Sequence, residues 1–372
     1  MKFCNLMAIW LIMLPLSASA EDAKFYWNDG TRLEFPEAGF TTKINMLIQP
    51  RYDFTDTDGG AESNSFQIKR ARLILSGTFQ NDFSYQVEND FVNDLSLLNA
   101  YLAWKPENIA EFKIGQFKTL LSRQFNTSDA LLQFPDRSFV SDYFSQGRNQ
   151  GLATTKDLAD GRFKLSAAAF NGRSDGEGIN REGLDTEVSA MLSARWNAFG
   201  KMNAFEEGDV TTTPEAALST GIAYAFADAS NDLDGPTGPG GLVGNDLSTI
   251  NADITFKHQG LSVASEIFWS DFSSDSAAEA NPLGVYAQAG YFVVPAVWEL
   301  AGRYGIVQCD DGQAIGRCAG KDDIQELTLG LNHYWSKHNL KAQIAYSRLE
   351  VDPVSGDNLK TNKAILQLTG YF

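Results

Sequence analysis

Apolar and polar residues alternate one by one along most of this chain, and the 3.6-residue period of a helix is nearly absent. In the segment DIQELTLGLNHYWS, Leu327, Leu329 and Leu331 fall on one face. Glu326 and Thr328 fall on the other face. The segments KINMLIQPRYDF and VWELAGRYGI show the same alternation. Each segment is therefore predicted to form a β-strand with one apolar and one polar face.

Sixteen segments of this kind follow one another, and short turns such as WSKHNL alternate with longer polar loops such as FSSDSAAEANPLG. The predicted strands are 40–54, 64–78, 82–92, 97–105, 110–119, 150–156, 162–171, 186–197, 216–227, 249–258, 261–271, 284–293, 296–307, 323–336, 339–350 and 363–372. Alternating loop lengths are typical of an outer-membrane β-barrel, which must close because lipid offers no hydrogen-bond partner to a free sheet edge. The sequence thus predicts an all-β fold, a transmembrane antiparallel β-barrel of about 16 strands over residues 40–372.

A soluble sandwich or propeller would also alternate, and three features together argue against it. The chain begins with an export signal, its short and long connections alternate, and aromatic residues cluster at the strand ends. Those aromatic residues include Trp104, Trp196, Trp269 and Trp335.

Residues 1–20 have the features of a secretory signal peptide. A basic start precedes the apolar run LMAIWLIMLPL, and Ala18-Ser19-Ala20 provides a cleavage site of small residues. We therefore expect cleavage after Ala20, a periplasmic segment over residues 21–39, and a location in the outer membrane of a Gram-negative bacterium.

The chain carries 47 acidic and 30 basic residues, a formal net charge of −17. This excess of acids argues against a nucleic acid as partner. It says little about which ions a pore conducts, because the local field in the lumen decides that. The sequence has no nucleotide-binding loop, haem-attachment motif or His/Cys cluster, so no cofactor and no metal are expected. The acidic loop DLDGPTGPGGLVGND lacks the spacing and the closing Glu of an EF-hand, and weak divalent-cation binding there stays open.

Two cysteines, Cys309 and Cys318, are left once the signal peptide is removed. They lie in the Gly- and Asp-rich segment VQCDDGQAIGRCAGKDD of an exported protein, where a disulfide is the simplest expectation. A metal site is disfavoured because two thiols are too few ligands and no histidine lies nearby. Closing so short a loop would stabilise it by roughly 2–3 kcal/mol.

Residues 120–148 break the alternation. A long connection without a period of two is usually either disordered or functional. The many aromatic and leucine residues in this one argue against disorder. A barrel of sixteen strands leaves a water-filled lumen, so we expect this loop to fold inward and narrow it.

Several motifs resemble those of the phosphate-selective porin O and P family. FQIKRARLILSGTF at 66–79 resembles a basic second-strand signature, and RSFVSDYFSQGRNQGLA resembles the point where a constriction loop rejoins the barrel. FKLSAAAFNG, GVYAQAGYF and QELTLGLNHYW follow in the same order, so the resemblance covers nearly the whole chain after the signal peptide. It implies a homotrimer of sixteen-stranded barrels in outer-membrane lipid. It also implies passive diffusion of small polar solutes, anions such as phosphate in the best-known members.

The resemblance also implies roles for particular residues in the pore. The basic pair of the second strand corresponds to Lys69 and Arg70, with Arg72 in addition. A pair of loop serines corresponds to Ser128 and Asp129, so one serine is replaced by an acid.

Further loop positions decide how far the resemblance extends. The arginine near the end of the constriction loop corresponds to Arg137. The lysine of phosphate-selective members falls at Phe125, and their acidic residue on the fourth strand falls near Leu98. Their row of arginines aligns with nothing in this chain. We therefore predict a weakly anion-preferring or mixed pore rather than a tight phosphate binder.

Strict alternation limits which basic residues of the second strand can face the lumen. It places Arg70 and Arg72 on one face and Lys69 on the opposite face. Phe66 and Ile68 share the face of the two arginines. The three cations are therefore not expected to face the lumen together.

Each cation that does face the lumen has two interpretations. It attracts anions at the constriction, or it is neutralised by an acid in the lumen such as Glu88 or Asp90 or extends to the membrane interface. Arg123 and Arg137 have the same two interpretations, because Asp129 and Asp136 lie close to them in sequence.

Two other classes of function stay open. A barrel enzyme of the lipase or protease type needs a nucleophile with an oriented base, and the histidines available are His258, His333 and His338. None lies beside a nucleophile motif, so catalysis is disfavoured. The other class is a non-conducting adhesin or structural barrel, which a conductance measurement separates from a pore.

The chain ends on the alternating segment KAILQLTGYF. As a free edge this strand would be an aggregation hazard, whereas in a closed barrel it pairs with the first strand. A final strand that ends in an aromatic residue also resembles the signal read by the outer-membrane assembly machinery. Phe372 is therefore the expected assembly signal.

Overall fold

The computed structural model describes residues 23–92, 94–107, 109–171, 188–227, 245–274, 280–309, 318 and 320–372. The signal peptide lies outside these residues, and so does the DLDGPTGPGGLVGND loop up to Gly244. Within them the strands are β1 (Lys24–Trp27), β2 (Thr31–Phe35), β3 (Phe40–Thr57), β4 (Ser63–Phe79), β5 (Phe83–Asp90), β6 (Ser96–Trp104), β7 (Glu111–Lys118), β8 (Arg148–Leu158), β9 (Phe163–Asn171), β10 (Val188–Phe199), β11 (Ala217–Ala227), β12 (Asn245–His258), β13 (Leu261–Ser274), β14 (Leu283–Val294), β15 (Trp298–Gln308), β16 (Lys321–Ser336), β17 (Leu340–Pro353) and β18 (Leu359–Tyr371). No helix among the described residues is long and apolar enough to cross a membrane.

Strands β3 to β18 form the closed antiparallel barrel of sixteen strands that the sequence predicts. Each pairs with the next along the chain, and β18 returns to pair with β3, as in the pair Asp53 and Ile365. The sixteen predicted segments coincide with these strands to within a few residues. Closure leaves the sheet without a free edge, which is the condition for a sheet in lipid.

Residues 24–35 add a short hairpin that the sequence analysis did not predict within its segment 21–39. Strand β2 pairs with the first part of β3, where Phe35 lies opposite Phe40. Strand β18 pairs with the remainder of β3, where Tyr371 lies opposite Leu47. The two strands therefore lie end to end along one edge of β3.

The outer face of the barrel is apolar and much of its inner face is polar, as the alternation predicts. Apolar side chains of the inner face are buried under the constriction loop. In β3, Ile44 and Met46 are exposed on the outer face, while Asn45 and Gln49 are buried on the inner face. Lipid outside the barrel cannot hydrogen-bond with polar side chains, so the polar side chains face the interior.

Aromatic side chains form part of a girdle at one end of the barrel, where β3 begins and β18 ends. We call this the turn end, because short connections such as 80–82 and 259–260 lie there, and the opposite end the loop end. The ring of Trp104 stacks between those of Phe83 and Phe112, with centroids 6.3 and 5.8 Å away. Such girdles mark the membrane interfaces of outer-membrane barrels.

The connection between β7 and β8, residues 119–147, folds into the barrel and is called the constriction loop from here on. It contains helix α1 (Arg123–Asn126), a 3-10 turn (Asp129–Leu131) and helix α2 (Phe139–Phe144). Ser122 caps α1 by accepting a hydrogen bond from the N–H of Phe125, and Ser138 caps α2 by accepting one from Val140. The prediction that this loop folds inward is confirmed.

Helix α2 packs against the inner wall formed by β13, β14 and β15. Val140 and Phe144 are buried there, and the ring of Phe144 stacks on that of Phe268 at 5.1 Å. Gly284 and Gly305 line the wall beneath the helix. Their missing side chains leave room for α2 to approach the strands closely.

The disulfide between Cys309 and Cys318 is present, with an S–S distance of 2.07 Å, as the sequence predicts. Both cysteines belong to the apolar cluster that surrounds α2. The hydroxyl of Tyr143 donates a hydrogen bond to the sulfur of Cys318 at 3.1 Å. The bridge therefore ties the connection between β15 and β16 to the constriction loop.

We predict that Gly284→Ala destabilises the barrel by roughly 1–3 kcal/mol, which is typical of overpacking in a filled core. A Cβ at this position would lie 2.2 Å from Cε2 of Phe144 and 2.9 Å from Cγ1 of Val140. Gly302→Ala is the matched control, because the nearest atom, Cδ2 of Leu329, would lie at 3.9 Å. The denaturant midpoints of the detergent-solubilised proteins measure the difference. Equal midpoints for the two variants would contradict the packing described for α2.

Candidate pore constriction

The constriction loop is fixed to one half of the inner wall by buried carboxylates. Both oxygens of Glu266 on β13 accept hydrogen bonds from the start of α1, from the N–H of Arg123 at 2.9 Å and that of Gln124 at 2.7 Å. Glu299 on β15 accepts a hydrogen bond from the side chain of Gln133 at 2.6 Å. Lys341 on β17 donates to the carbonyl of Leu132 at 2.5 Å. These contacts fill the lumen between β12 and β18.

Asp129 is the centre of the charged cluster at the constriction. Its carboxylate forms ion pairs with three guanidinium groups, those of Arg70 at 3.0 Å, Arg72 at 2.5 Å and Arg137 at 2.5 Å. Burial opposes ionisation of Asp129, yet the guanidinium groups of Arg137, Arg70 and Arg72 hold the pKa of that carboxyl well below its usual range. The acid that replaces a serine of the resembled family therefore binds the cations that the resemblance placed at the constriction.

A β-bulge changes which side chains of β4 face the lumen. Gln49 of β3 lies opposite Arg70, whereas the next residue, Pro50, lies opposite Ile68, so Lys69 is the extra residue. Proline has no N–H for the ladder and is tolerated in strands at such bulges. Phe66 and Ile68 are consequently exposed on the outer face. The prediction that they share a face with Arg70 and Arg72 is therefore wrong.

Lys69 lies on the same side of the strand as Arg70 as a result of the bulge. It is half-buried and interacts electrostatically with Asp136 of the constriction loop. The expectation that Lys69 and the arginines cannot all face the lumen is therefore also wrong. Pro50 was the sequence signal for the bulge, because a proline inside a strand requires an interruption of the ladder.

A second group of ion pairs lies next to the first. Asp136 contacts Arg51 at 2.9 Å and Lys363 at 3.3 Å, and Arg51 also contacts Asp53 at 2.9 Å. The sequence analysis did not assign Arg51 or Lys363 to the pore. Their partner belongs to a loop far away in sequence, so the alternation of their strands carries no sign of the contact.

The remaining carboxylates of the cluster belong to β5. Arg72 contacts Asp90 at 2.8 Å and Glu88 at 3.4 Å. The interpretation that wall acids neutralise these cations therefore describes the observed contacts.

Phe125 occupies the loop position where the resembled family carries a lysine. Two cations approach its ring, with Nζ of Lys118 and Cζ of Arg137 each 5.4 Å from the centroid. Lys118 also donates to the carbonyl oxygens of Phe125 at 2.7 Å and Thr127 at 3.0 Å. An ammonium group thus reaches this place from strand β7, which the sequence analysis did not foresee.

Two other predicted residues have different environments. The side chain of Arg123 is fully buried, with its guanidinium 3.2 Å from Glu207 and 3.0 Å from the hydroxyl of Tyr286. These partners engage its guanidinium, and Glu207 is not one of the neighbouring loop acids that the sequence suggested. Ser128 is half-buried beside Asp129, and its carbonyl accepts a hydrogen bond from Leu131.

A cavity of about 230 Å³ lies in the half of the lumen opposite the filled one. Its charged lining residues are Glu111, Lys113, Arg123, Lys164, Arg195 and Asp253. Lys164 and Arg195 lie directly opposite each other on β9 and β10. Asp253 neutralises Arg195 at 2.7 Å, whereas Lys113 is 3.9 Å from Glu111 and is 27% exposed. Solutes in this half of the lumen therefore meet basic side chains that the sequence analysis had not selected.

Two of the three histidines, His333 and His338, lie in structural positions. The ring of His333 packs on the outer face between Trp298 and Trp335. The two ring nitrogens of His338 contact the carbonyl of Glu207 and the ammonium of Lys341, both at 3.0 Å. His258 ends β12. Within the described part of the chain, no group of three or more His, Cys, Asp or Glu residues could hold a metal ion.

Comparison with known proteins identifies one family. The family model for phosphate-selective porin O and P matches residues 44–369. None of the curated proteins matches the sequence.

Solved structures with the same fold include three from Gram-negative outer membranes. The outer membrane channel DcaP of Acinetobacter baumannii is 14% identical, with a TM-score of 0.63 and coverage of 90% of this chain and 98% of that one. The anion-selective porin from Comamonas acidovorans is 12% identical, with a TM-score of 0.63 and coverage of 90% and 100%. OmpT of Vibrio cholerae in a trimer form is 11% identical, with a TM-score of 0.58 and coverage of 89% and 99%. At such identities the likeness concerns the fold alone.

We predict that Asp129→Asn raises the permeability of the lumen to chloride relative to potassium roughly two- to five-fold, because three guanidinium groups lose the carboxylate they share. Reversal potentials across planar bilayers in a KCl gradient measure this ratio. Asp82→Asn is the matched control, since Asp82 is an exposed acid in the short connection 80–82 at the turn end. An unchanged ratio in Asp129→Asn would show that the cluster does not contribute to the field in the lumen.

Proposed function

Because the chain belongs to the phosphate-selective porin O and P family, it is a passive diffusion channel of the bacterial outer membrane, and we propose that it conducts small polar solutes with a weak preference for anions. The observation that carries this proposal is the pairing of the basic side chains at the constriction. Their charge is largely neutralised by carboxylates and only partly available to a solute.

The charges at the constriction nearly balance. Five cations form ion pairs there with five carboxylates: Arg51, Arg70, Arg72, Arg137 and Lys363 with Asp53, Glu88, Asp90, Asp129 and Asp136. Lys69 and Arg148 add positive charge beside them. A modest positive excess in a narrow aqueous passage favours anions without retaining them.

Tight binding of phosphate is not part of this proposal. A phosphate ion at the cluster would have to displace Asp129 from three guanidinium groups that already contact it. Strong charge-assisted hydrogen bonds of this kind are costly to replace. The anion-selective neighbour from Comamonas acidovorans supports the sign of the preference, and the paired arginines support its weakness.

We also propose that the protein works as a homotrimer in outer-membrane lipid after its signal peptide is removed at Ala20. The trimer form of the Vibrio cholerae neighbour supports the first part. The backbone of Phe372 supports the proposed role of this residue in assembly. Its N–H and carbonyl pair with those of Met46 and complete the closure of the barrel. Its side chain is partly exposed on the outer face, where the assembly machinery could read it.

A barrel enzyme and a non-conducting barrel are not favoured by any described residue. The ring nitrogens of His338 are engaged by Glu207 and Lys341, and the ring of His333 lies between two tryptophans. We therefore propose no catalytic role for these residues.

Planar-bilayer recordings test the proposed selectivity. We expect reversal potentials in a KCl gradient that indicate a modest anion preference, and a conductance that phosphate does not saturate at micromolar concentration. Saturation by micromolar phosphate would contradict the proposal, and so would a clear preference for cations. A protein that folds and inserts without conducting would instead support the structural barrel.

We further predict that Lys113→Glu lowers the anion-to-cation permeability ratio roughly two- to five-fold, because it reverses a charge on the wall of the cavity in the lumen. Lys105→Glu is the matched control, since Lys105 lies in a connection at the turn end with its side chain 63% exposed. Reversal potentials of both variants under the same gradient decide the question. Equal shifts in the two variants would show that the effect is not local to the lumen.

A further inference from the structure

The connection between β10 and β11, residues 200–216, differs from its neighbours at the turn end. Neighbouring connections such as 159–162, 259–260 and 337–339 are short, whereas this one is long and enters the barrel. Its buried residues are Ala204, Glu207, Gly208, Asp209, Val210 and Thr213. We call residues 200–216 the inner segment. The sequence analysis predicted the strands on either side of it and gave it no role.

Glu207 joins the inner segment to the constriction loop. One oxygen of its carboxylate accepts hydrogen bonds from Arg123 at 3.2 Å and from the side chain of Gln124 at 2.9 Å. The other oxygen accepts one from the N–H of Gln133 at 2.9 Å. The N–H of Glu207 donates to the carbonyl of Leu131 at 3.0 Å. The two inward-folded segments thus meet inside the barrel and hold each other in place.

Asp209 joins the inner segment to the barrel wall. Its carboxylate accepts hydrogen bonds from the N–H of Gly260 at 2.7 Å and from the N–H of Thr213 at 2.9 Å. The carbonyl of Thr213 in turn accepts a hydrogen bond from Gln259 at 2.8 Å. Next to Asp209, Val210 is buried in an apolar cluster with side chains of β14 and β16. These contacts seat the segment firmly against the wall.

Phe205 lies where the inner segment borders the open half of the lumen. It is half-buried, it lines the cavity that contains Lys113 and Lys164, and its ring lies 4.9 Å from the guanidinium of Arg195. Inner-face side chains of the opposite half are fully buried beneath the two inward-folded segments. They include Asn251, Glu266, Tyr286, Gln288, Glu299, Asn332, Lys341 and Gln343.

We propose that the inner segment is a second constriction element, which acts from the turn end as the constriction loop acts from the loop end. The two together close the lumen along β12 to β17, and at the turn end they confine solutes to the cavity along β7 to β10. Towards the loop end, Phe117, Phe170 and Met191 of these strands are buried under Leu121 of the constriction loop. Phe205 sets the width of the passage at its narrow edge. The proposal rests on the chain being a pore and is independent of the preference for anions.

Replacing residues 201–215 by the dipeptide Asn-Gly tests the proposal directly. We expect a single-channel conductance about twice that of the wild type, because conductance follows the cross-section of the aqueous path. Liposome-swelling assays with uncharged sugars of increasing size should show entry of larger sugars. Neutral sugars keep this result separate from any failure of the proposed anion preference.

Two point variants test the proposal even if the protein that lacks residues 201–215 does not fold. Phe205→Ala should raise the conductance and the size limit for sugars, and Phe205→Trp should lower both, while the anchors Glu207 and Asp209 stay intact. Phe163→Ala is the matched control, since Phe163 is an exposed aromatic residue on the outer face at the same end of the barrel, and it should leave both unchanged. Folded Phe205 variants with the conductance and size limit of the wild type would overturn the proposal.

Discussion

The whole structure depends on the closure of the sheet. Lipid supplies no hydrogen-bond partner, so every backbone group of a spanning strand must pair with another strand. The contact between β18 and β3, completed by the backbone of Phe372 and Met46, satisfies this condition. Closure also separates two environments. Because neighbouring side chains in a strand point to opposite faces, one strand can present apolar groups to lipid and polar groups to the lumen.

The polar inner face explains how long segments can lie inside the barrel. A buried backbone without partners would be costly, and here wall carboxylates supply the missing acceptors. Glu266 accepts the N–H groups at the start of α1, and Glu299 accepts the side chain of Gln133. The main role of these acidic residues in the lumen is therefore to anchor the constriction loop to the barrel wall. Their contribution to ion selectivity follows from which cations they have already neutralised.

Asp129 shows why net charge is a poor guide to such a pore. The chain as a whole is strongly acidic, yet the described constriction holds as many paired cations as carboxylates, with further lysine and arginine side chains beside them. The field at a constriction depends on groups a few ångströms away, because interactions between more distant exposed charges are screened by salt. A single carboxylate shared by three guanidinium groups therefore affects the field at the constriction more than the total charge of the chain does.

The sequence by itself determined the sixteen strands, their faces, the disulfide and the inward loop, because alternation, turn composition and cysteine pairing are read over a few neighbouring residues. It also contained the signal for the bulge in Pro50, although strict alternation concealed the effect on Lys69. Only the tertiary structure decided the partners of the charged groups. Arg123 binds Glu207, more than eighty positions away, and Lys341 donates to the carbonyl of Leu132, more than two hundred positions away. Such contacts form when barrel closure brings distant strands and loops together, and no local pattern records them.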